Sequence, residues 1–231
     1  MRNDLAQHGK LRHRFAADVL TPALSTLLGR ARGGDPWRDG SPIRDELLSV
    51  ERLEDHARSL AAAQSVSPHE RAGASLVKRL TENELMLSEA YRDIAKAIDD
   101  GVAITPAAEW LVDNFHVVEK QIRDVQGDLP PGYYRQLPKL AGGPLAQYPR
   151  VFGVAWAFTA HTDSLFEPEI LRRFLRAYQE VQPLTIGELW AVAITLKIVL
   201  VENLQRIATR VVDSRASRNL GVEGKHHRFW C

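Results

Sequence analysis

Residues 183–212 read PLTIGELWAVAITLKIVLVENLQRIATRVV, and this is the most apolar stretch of the chain. The spacing predicts one long helix that organises the fold, because apolar residues recur at steps of three and four. Thr185 and Glu188 are spaced as a capping box, in which each side chain binds a free backbone N–H group at the helix start. The predicted inward face consists of Leu189, Ala193, Leu196, Leu200, Leu204, Ile207 and Val211, widened by Trp190, Ile194, Ile198 and Val201.

The same stretch is too short to span a membrane. Its apolar part runs from Leu189 to Val201, whereas a spanning helix needs about 20 apolar residues. Lys197 lies inside this run, and a lysine near the bilayer centre costs about 3 kcal/mol. The sequence therefore predicts a central helix that is buried by several neighbouring helices.

Composition indicates a soluble protein of a reducing compartment. The 231 residues carry 30 Lys and Arg against 29 Asp and Glu, so the net charge of +1 exerts no general attraction for nucleic acid or anionic lipid. Cys231 is the one cysteine, which excludes an internal disulfide. Residues 1–15, MRNDLAQHGKLRHRF, lack the apolar core of a signal peptide. We therefore expect a cytoplasmic protein without a nucleic-acid partner.

Composition also divides the chain into three parts. Residues 1–40 are predicted to be a flexible basic arm, 41–215 a helical domain, and 216–231 a disordered tail that is mobile and dispensable. Contact of the basic arm with anionic lipid headgroups is a minor alternative to a solvated arm.

Signals for the starts of helices recur within residues 41–215. Ser or Thr followed by Pro is typical of a first helical turn, and it occurs at Ser41-Pro42, Ser67-Pro68 and Thr105-Pro106. In the helix after Thr105, Trp110 is expected to point inward, and a Pro- and Gly-rich loop is predicted from 127 to 148. No alternating strand pattern of useful length is present in the sequence. The predicted fold is all-α, an irregular bundle of about six to eight helices around a long C-terminal helix at about 185–213.

Patterns that would bind a metal are weak. Asp113, His116 and Glu119 could be imagined as ligands, but a di-iron carboxylate bundle needs a Glu-x-x-His pair on each of two helices. We therefore interpret them as a solvated helix face. The spacing of His226-His227 and Cys231 matches no structural zinc pattern.

Patterns that would identify an enzyme are weak as well. The sequence has no phosphate-binding glycine loop, no nucleophile elbow and no Asp-x-Asp motif. Glu167, Glu169 and Glu188 could pair as glycosidase carboxylates, although each is better interpreted as a helix-start residue favoured by the dipole. We predict no catalytic residue, no metal site and no cofactor within this chain.

Three stretches carry a resemblance to a known family. They are PIRDELLSVERLEDHARSLAAAQ (42–64), LPPGYYRQLPKL (129–140) and LRRFLRAYQEVQPLTIGELWAVAITLKIVLVENLQRIA (171–208). Together they resemble the N-terminal region of the cyclic β-1,2-glucan synthases, which are very large bacterial inner-membrane proteins. The combination of PLTIGELW with VENLQRIA is the most specific part.

The resemblance implies what such a segment belongs to. In the family, a cytoplasmic helical region precedes membrane spans and a glycosyltransferase domain that polymerises glucose from UDP-glucose with a divalent metal. A glycoside-phosphorylase-like domain then trims the product. The chain contains neither catalytic domain, and after Ser217 its tail departs from the family's helical continuation. We therefore expect a truncated, non-catalytic chain at the inner face of the membrane.

Two roles follow for such a chain. The first is a scaffold against the transferase and membrane domains of the parent protein, and the alternative is a free-standing helical adaptor without enzymatic activity. Our candidates for that interface, or for contact with glucan, are Tyr133, Tyr134, Arg135, Trp156 and Trp190. Aromatic rings stack on sugar faces, and Tyr, Trp and Arg are frequent at interface hot spots. Ordinary packing remains an alternative for each of them.

Overall fold

The computed structural model describes residues 40–67, 73–130 and 132–226. Within them lie seven helices, α1 (Val50–Ala63), α2 (Leu76–Asp99), α3 (Pro106–Asp128), α4 (Tyr133–Gln136), α5 (Arg150–His161), α6 (Pro168–Val181) and α7 (Ile186–His226), and two strands, β1 (Val66–Ser67) and β2 (Lys139–Leu140). The strands pair antiparallel, with Val66 opposite Leu140. The predicted all-α bundle around a long C-terminal helix is confirmed. The predicted basic arm at 1–39 and residues 227–231 of the tail lie outside the described residues.

The long helix α7 is the centre of the packing, since α2, α3 and α5 all contact it, while α1 packs on α6. The predicted capping box is present: Thr185 Oγ1 accepts from the Glu188 N–H at 3.2 Å, and Glu188 Oε2 accepts from the Thr185 N–H at 2.9 Å. The helix continues past its predicted end near 213 and includes Gly221 and Gly224. One glycine costs a helix only about 1 kcal/mol relative to alanine, so it does not by itself end one.

None of the described helices combines the length and the apolarity that crossing a bilayer requires.

The buried face of α7 matches the predicted one only in part. Leu196, Ile198 and Val201 are buried as predicted, but Leu189 is 39% exposed and Ile207 40% exposed, and Leu200 is only half-buried. The other buried residues include Glu188, Ala191, Val192, Thr195, Val199, Glu202, Gln205 and Arg206. The rest of the prediction was wrong because α7 is apolar on opposite sides, so its periodicity does not decide which side faces the core.

The first predicted helix start is also wrong. Residues 41–49 form neither helix nor strand, and α1 begins at Val50 with Ser49 as its N-cap. This segment is held by tertiary bonds: Ile43 N–H donates to Asn203 Oδ1 at 2.6 Å, and Arg206 donates to the Ser41 carbonyl at 2.8 Å. These partners satisfy backbone groups that a helix would have satisfied internally.

Of the other two predicted helix starts, one is confirmed and one lies partly outside the described residues. Thr105 caps α3 as predicted, accepting from the Ala108 N–H at 3.3 Å. Pro68 lies outside the described residues, and α2 begins with Ser75 as its N-cap. Trp110 was expected to point inward, but it is 53% exposed, because Leu111 and Phe115 of α3 face the core instead.

The Pro- and Gly-rich stretch from 127 to 148 is well packed. It contains α4 and β2, and its leucines at 137, 140 and 145 are buried. The stretch therefore forms part of the core surface that receives α7.

Candidate functional site

The two predicted site tyrosines fasten the short helix α4 to the first turns of α7. Tyr133 OH donates to the Gly187 carbonyl at 2.6 Å. Tyr134 OH shares a 2.9 Å hydrogen bond with Thr195 Oγ1. The two rings meet edge to face, with centroids 5.8 Å apart. Both hydroxyls are therefore engaged inside the protein.

Close packing surrounds this contact. Tyr133 and Tyr134 pack against a buried apolar cluster of Leu137, Val151, Ala191 and Val192. A Cβ added at Gly187 would lie 3.3 Å from Leu137 Cδ2, so the absent side chain allows the close approach. Burial, aided by neighbouring Tyr133, raises the pKa of Tyr134 to about 12, which keeps its hydroxyl protonated at neutral pH.

The structure does not gather the five predicted site residues in one place. Arg135 is exposed and its carbonyl accepts from Lys139 Nζ at 2.9 Å. Trp156 is buried, with the Arg206 guanidinium 4.9 Å from its ring centroid. Trp190 is 78% exposed on α7. A role for any of them in contact with glucan stays a prediction.

Two buried ion clusters, which the sequence reasoning missed, attach α7 to the rest of the bundle. In the first, Arg150 donates from Nε and Nη2 to the two oxygens of Glu188, at 2.8 and 2.5 Å. Its Nη2 also donates to the Pro183 carbonyl at 3.0 Å. Burial alone would lower the pKa of Arg150, but its bonds to Glu188 raise it. The guanidinium of Arg150 therefore stays charged.

The second cluster places one carboxylate between two guanidinium groups. Arg79 of α2 binds both oxygens of Glu202, and Arg206 donates to Glu202 Oε1 at 2.8 Å. Arg79 also donates to Tyr148 OH at 2.8 Å. Glu202 and Arg206 are both buried, so this cluster joins α7 to α2 and the 127–148 stretch.

A sequence signal for these clusters exists. Glu188, Glu202 and Arg206 are separated by 14 and 4 residues, which places them on the same side of a helix with 3.6 residues per turn. Charged residues aligned on one side of an otherwise apolar helix indicate buried partners rather than solvent. Their partners Arg79 and Arg150 are distant in sequence and could not be identified from it.

An open cleft of about 480 Å³ lies between α2 and α3, lined by Ser88, Tyr91, Arg92, Val112, Phe115, His116 and Glu119. Tyr91 stacks on Phe115 with ring centroids 4.3 Å apart. His116 and Glu119 were weighed as metal ligands in the sequence. Within the described part of the chain, no group of three potential ligands could hold a metal ion.

A histidine pair joins α1 to α5. His56 of α1 and His161 of α5 have ring centroids 4.3 Å apart, and His161 Nδ1 lies 2.8 Å from the Glu46 carbonyl oxygen. Burial, reinforced by His161 and opposed by Asp45, lowers the pKa of His56 from 6.5 to about 4. Neutral His56 thus belongs to the folded state.

We expect the free energy of unfolding to fall by about 2 kcal/mol between pH 7.5 and pH 5 through His56. As the pH falls, the unfolded chain binds this proton first, so the contribution is complete above pH 6.5 and is lost toward pH 4. Urea titrations at the two pH values measure it. His56→Gln should remove most of the difference, whereas His116→Gln, at an exposed position, should preserve it. An unchanged pH dependence in His56→Gln would contradict the assignment.

Comparison with known proteins agrees with the resemblance found in the sequence. No family model matches the chain. A curated relative, the cyclic β-(1,2)-glucan synthase NdvB of Rhizobium meliloti (strain 1021), is 46% identical over 145 residues, which are 63% of this chain and 5% of that protein. The chain thus spans only a small part of the relative that it matches. Over this segment, the chain is related to the Rhizobium meliloti cyclic β-(1,2)-glucan synthase.

Proposed function

We propose that the chain is a non-catalytic helical scaffold of a cyclic β-(1,2)-glucan synthase and packs against other parts of that protein. The observation that carries the proposal is an apolar surface on α7, here called the outer face, formed by the exposed Ile186, Trp190, Ala193 and Ile207 and the half-buried Leu200 and Leu204. Ile186 is 73% exposed and Trp190 78% exposed. Contiguous exposed apolar surface is typical of an interaction site.

The buried charges support a structural rather than a catalytic role. Among the described side chains of α7, the buried carboxylates are Glu188 and Glu202, and each is bonded to arginine. A carboxylate held in this way stabilises helix packing and is not poised to donate a proton to a substrate. In the proposed parent protein, UDP-glucose and the divalent metal would bind the transferase domain.

The proposed partners are the transferase and membrane domains of the synthase, at the cytoplasmic face of the inner membrane. Trp190 is the predicted interface residue that fits this role best, because its ring is available to a partner. Tyr133 and Tyr134 would act indirectly by fixing the start of α7.

A chimeric synthase tests the proposal. The matching 145 residues of the Rhizobium meliloti enzyme are replaced by those of this chain, and cyclic β-(1,2)-glucan is measured in cells. We expect synthesis to be retained, and the double substitution Ile186→Glu/Trp190→Glu to reduce it about tenfold or more, since charge on a buried interface costs several kcal/mol.

Trp110→Glu is the matched control, because Trp110 is also an exposed tryptophan but lies on α3. It should leave synthesis near the level of the unsubstituted chimera. An equal loss of synthesis in Trp110→Glu and in Ile186→Glu/Trp190→Glu, or full synthesis after deletion of the segment, would contradict the scaffold role. The latter result would favour a free-standing adaptor.

A further inference from the structure

We infer that the outer face of α7 binds a single long amphipathic helix that presents acidic side chains to Lys197. The inference rests on the proposed function, because it names the chemistry of the partner that the scaffold would hold. Its basis is the spacing of the outer face and the distribution of charge around it.

The outer face has the spacing of a helix-to-helix seam. Ile186, Ala193, Leu200 and Ile207 recur every seven residues, and Trp190, Lys197 and Leu204 follow the first three of them by four. A seven-residue repeat of this kind keeps one stripe of a helix in contact with a second helix along its length. From Ile186 to Ile207 the stripe is about 32 Å long, which a partner helix of three heptads would cover.

The distribution of charge on α7 indicates that the partner helix is acidic. Between residues 186 and 212 the acidic residues are Glu188 and Glu202, and both face inward and bind arginine. Lys197 lies at the middle of the outer face, half-buried, with no ion-pair partner among the described residues. Within the part of the chain that the structure describes, the outer face therefore carries a positive charge without a carboxylate partner inside an apolar stripe.

A second copy of α7 does not meet this requirement. Because Lys197 lies near the midpoint of the stripe, a copy packed in either direction would place its own Lys197 close to the first. Like charges at facing positions disfavour such a pairing. A helix from another part of the protein, with Glu or Asp opposite Lys197, satisfies the charge and covers the apolar stripe.

Two designed peptides test the inference. Each is a fluorescein-labelled helix of three heptads with a leucine stripe, and they differ only at the central positions next to that stripe, which are Glu in one and Lys in the other. Central placement makes the test independent of helix direction. Fluorescence anisotropy is measured with the full chain. We expect the Glu peptide to bind about tenfold more tightly than the Lys peptide.

Charge reversal provides the decisive comparison. Lys197→Glu should invert the preference, and Lys197→Gln should make the two peptides bind equally. Ile186→Ser/Trp190→Ser should weaken the Glu peptide about tenfold or more, whereas the matched control Trp110→Ser should leave its binding unchanged.

Three results would overturn the inference. The first is equal binding of the two peptides to the unsubstituted chain. The second is self-association through the outer face that Lys197→Glu leaves unchanged. The third is binding of phosphatidylglycerol vesicles that Ile186→Ser/Trp190→Ser abolishes. Failure of the chimeric synthase with charge-selective peptide binding intact would overturn the scaffold role alone. A working chimera that is indifferent to Lys197→Glu would overturn the acidic-helix partner alone.

Discussion

Replacing Glu202 with leucine should destabilise the protein by about 3–5 kcal/mol, the cost of breaking a buried ion pair by removing one partner. Glu202 is the carboxylate that both Arg79 and Arg206 bind. Leucine fills similar space, so the loss reports two guanidinium groups left without a counter-charge rather than a cavity. Urea unfolding at pH 7.5 measures the change.

Two control variants distinguish the cost of unpaired buried charge from the cost of losing any ion pair. Glu180→Leu breaks the exposed pair with Arg58 and should change the stability only slightly, because exposed ion pairs contribute little. The triple variant Arg79→Met/Glu202→Leu/Arg206→Leu should recover at least half of the stability, because apolar residues often replace a buried ion cluster without loss. A Glu202→Leu midpoint close to wild type would mean that water reaches the cluster.

Val199→Asp should unfold the domain, whereas Leu200→Asp should leave it folded. Val199 is fully buried, and an unpaired carboxylate there costs several kcal/mol, a large part of the about 5–15 kcal/mol that stabilises a typical domain. Leu200 is half-buried on the outer face, where the carboxylate stays hydrated. Circular dichroism melts of the two neighbouring variants provide the measurement, because they differ by one position on the helix.

The sequence pattern predicts the reverse order for this pair, since Leu200 belongs to the expected inward face. Similar melting temperatures for the two variants would mean that α7 is covered on both sides in the isolated chain. Unfolding by Leu200→Asp but not by Val199→Asp would mean that Leu200 faces the core, as the spacing of apolar residues predicts.

Local features of the sequence predicted the structure well where local chemistry decides it. Thr185 and Glu188 cap α7 as expected, because a capping box is completed within four residues. The all-α class followed from helical periodicity in the same way. Ser41-Pro42 has the chemistry of a helix start, yet the segment after it is not helical, because Asn203 and Arg206 bind its backbone.

The face of α7 and the site residues depend on distant partners. Glu188 and Glu202 face inward because they form ion pairs there with Arg150 and Arg79. The spacing of residues within α7 does not reveal those arginines. With Glu188 and Glu202 facing inward, Trp190 lies on the outer side of the helix. Among the five site candidates, Trp190 is exposed and Trp156 is buried, a difference that residue type alone could not predict.

The bond from Ile43 to Asn203 joins residues 160 positions apart, and this fixes the order in which the protein can be completed during synthesis. At about 5–20 residues per second, the ribosome needs roughly 10–30 s to add α7 after the segment 41–49 has been made. From the completion of α5 until α7 is added, the faces of α2, α3 and α5 that later receive α7 lack that partner. The nascent chain therefore passes through a stage in which apolar surface of its core is exposed and prone to aggregation.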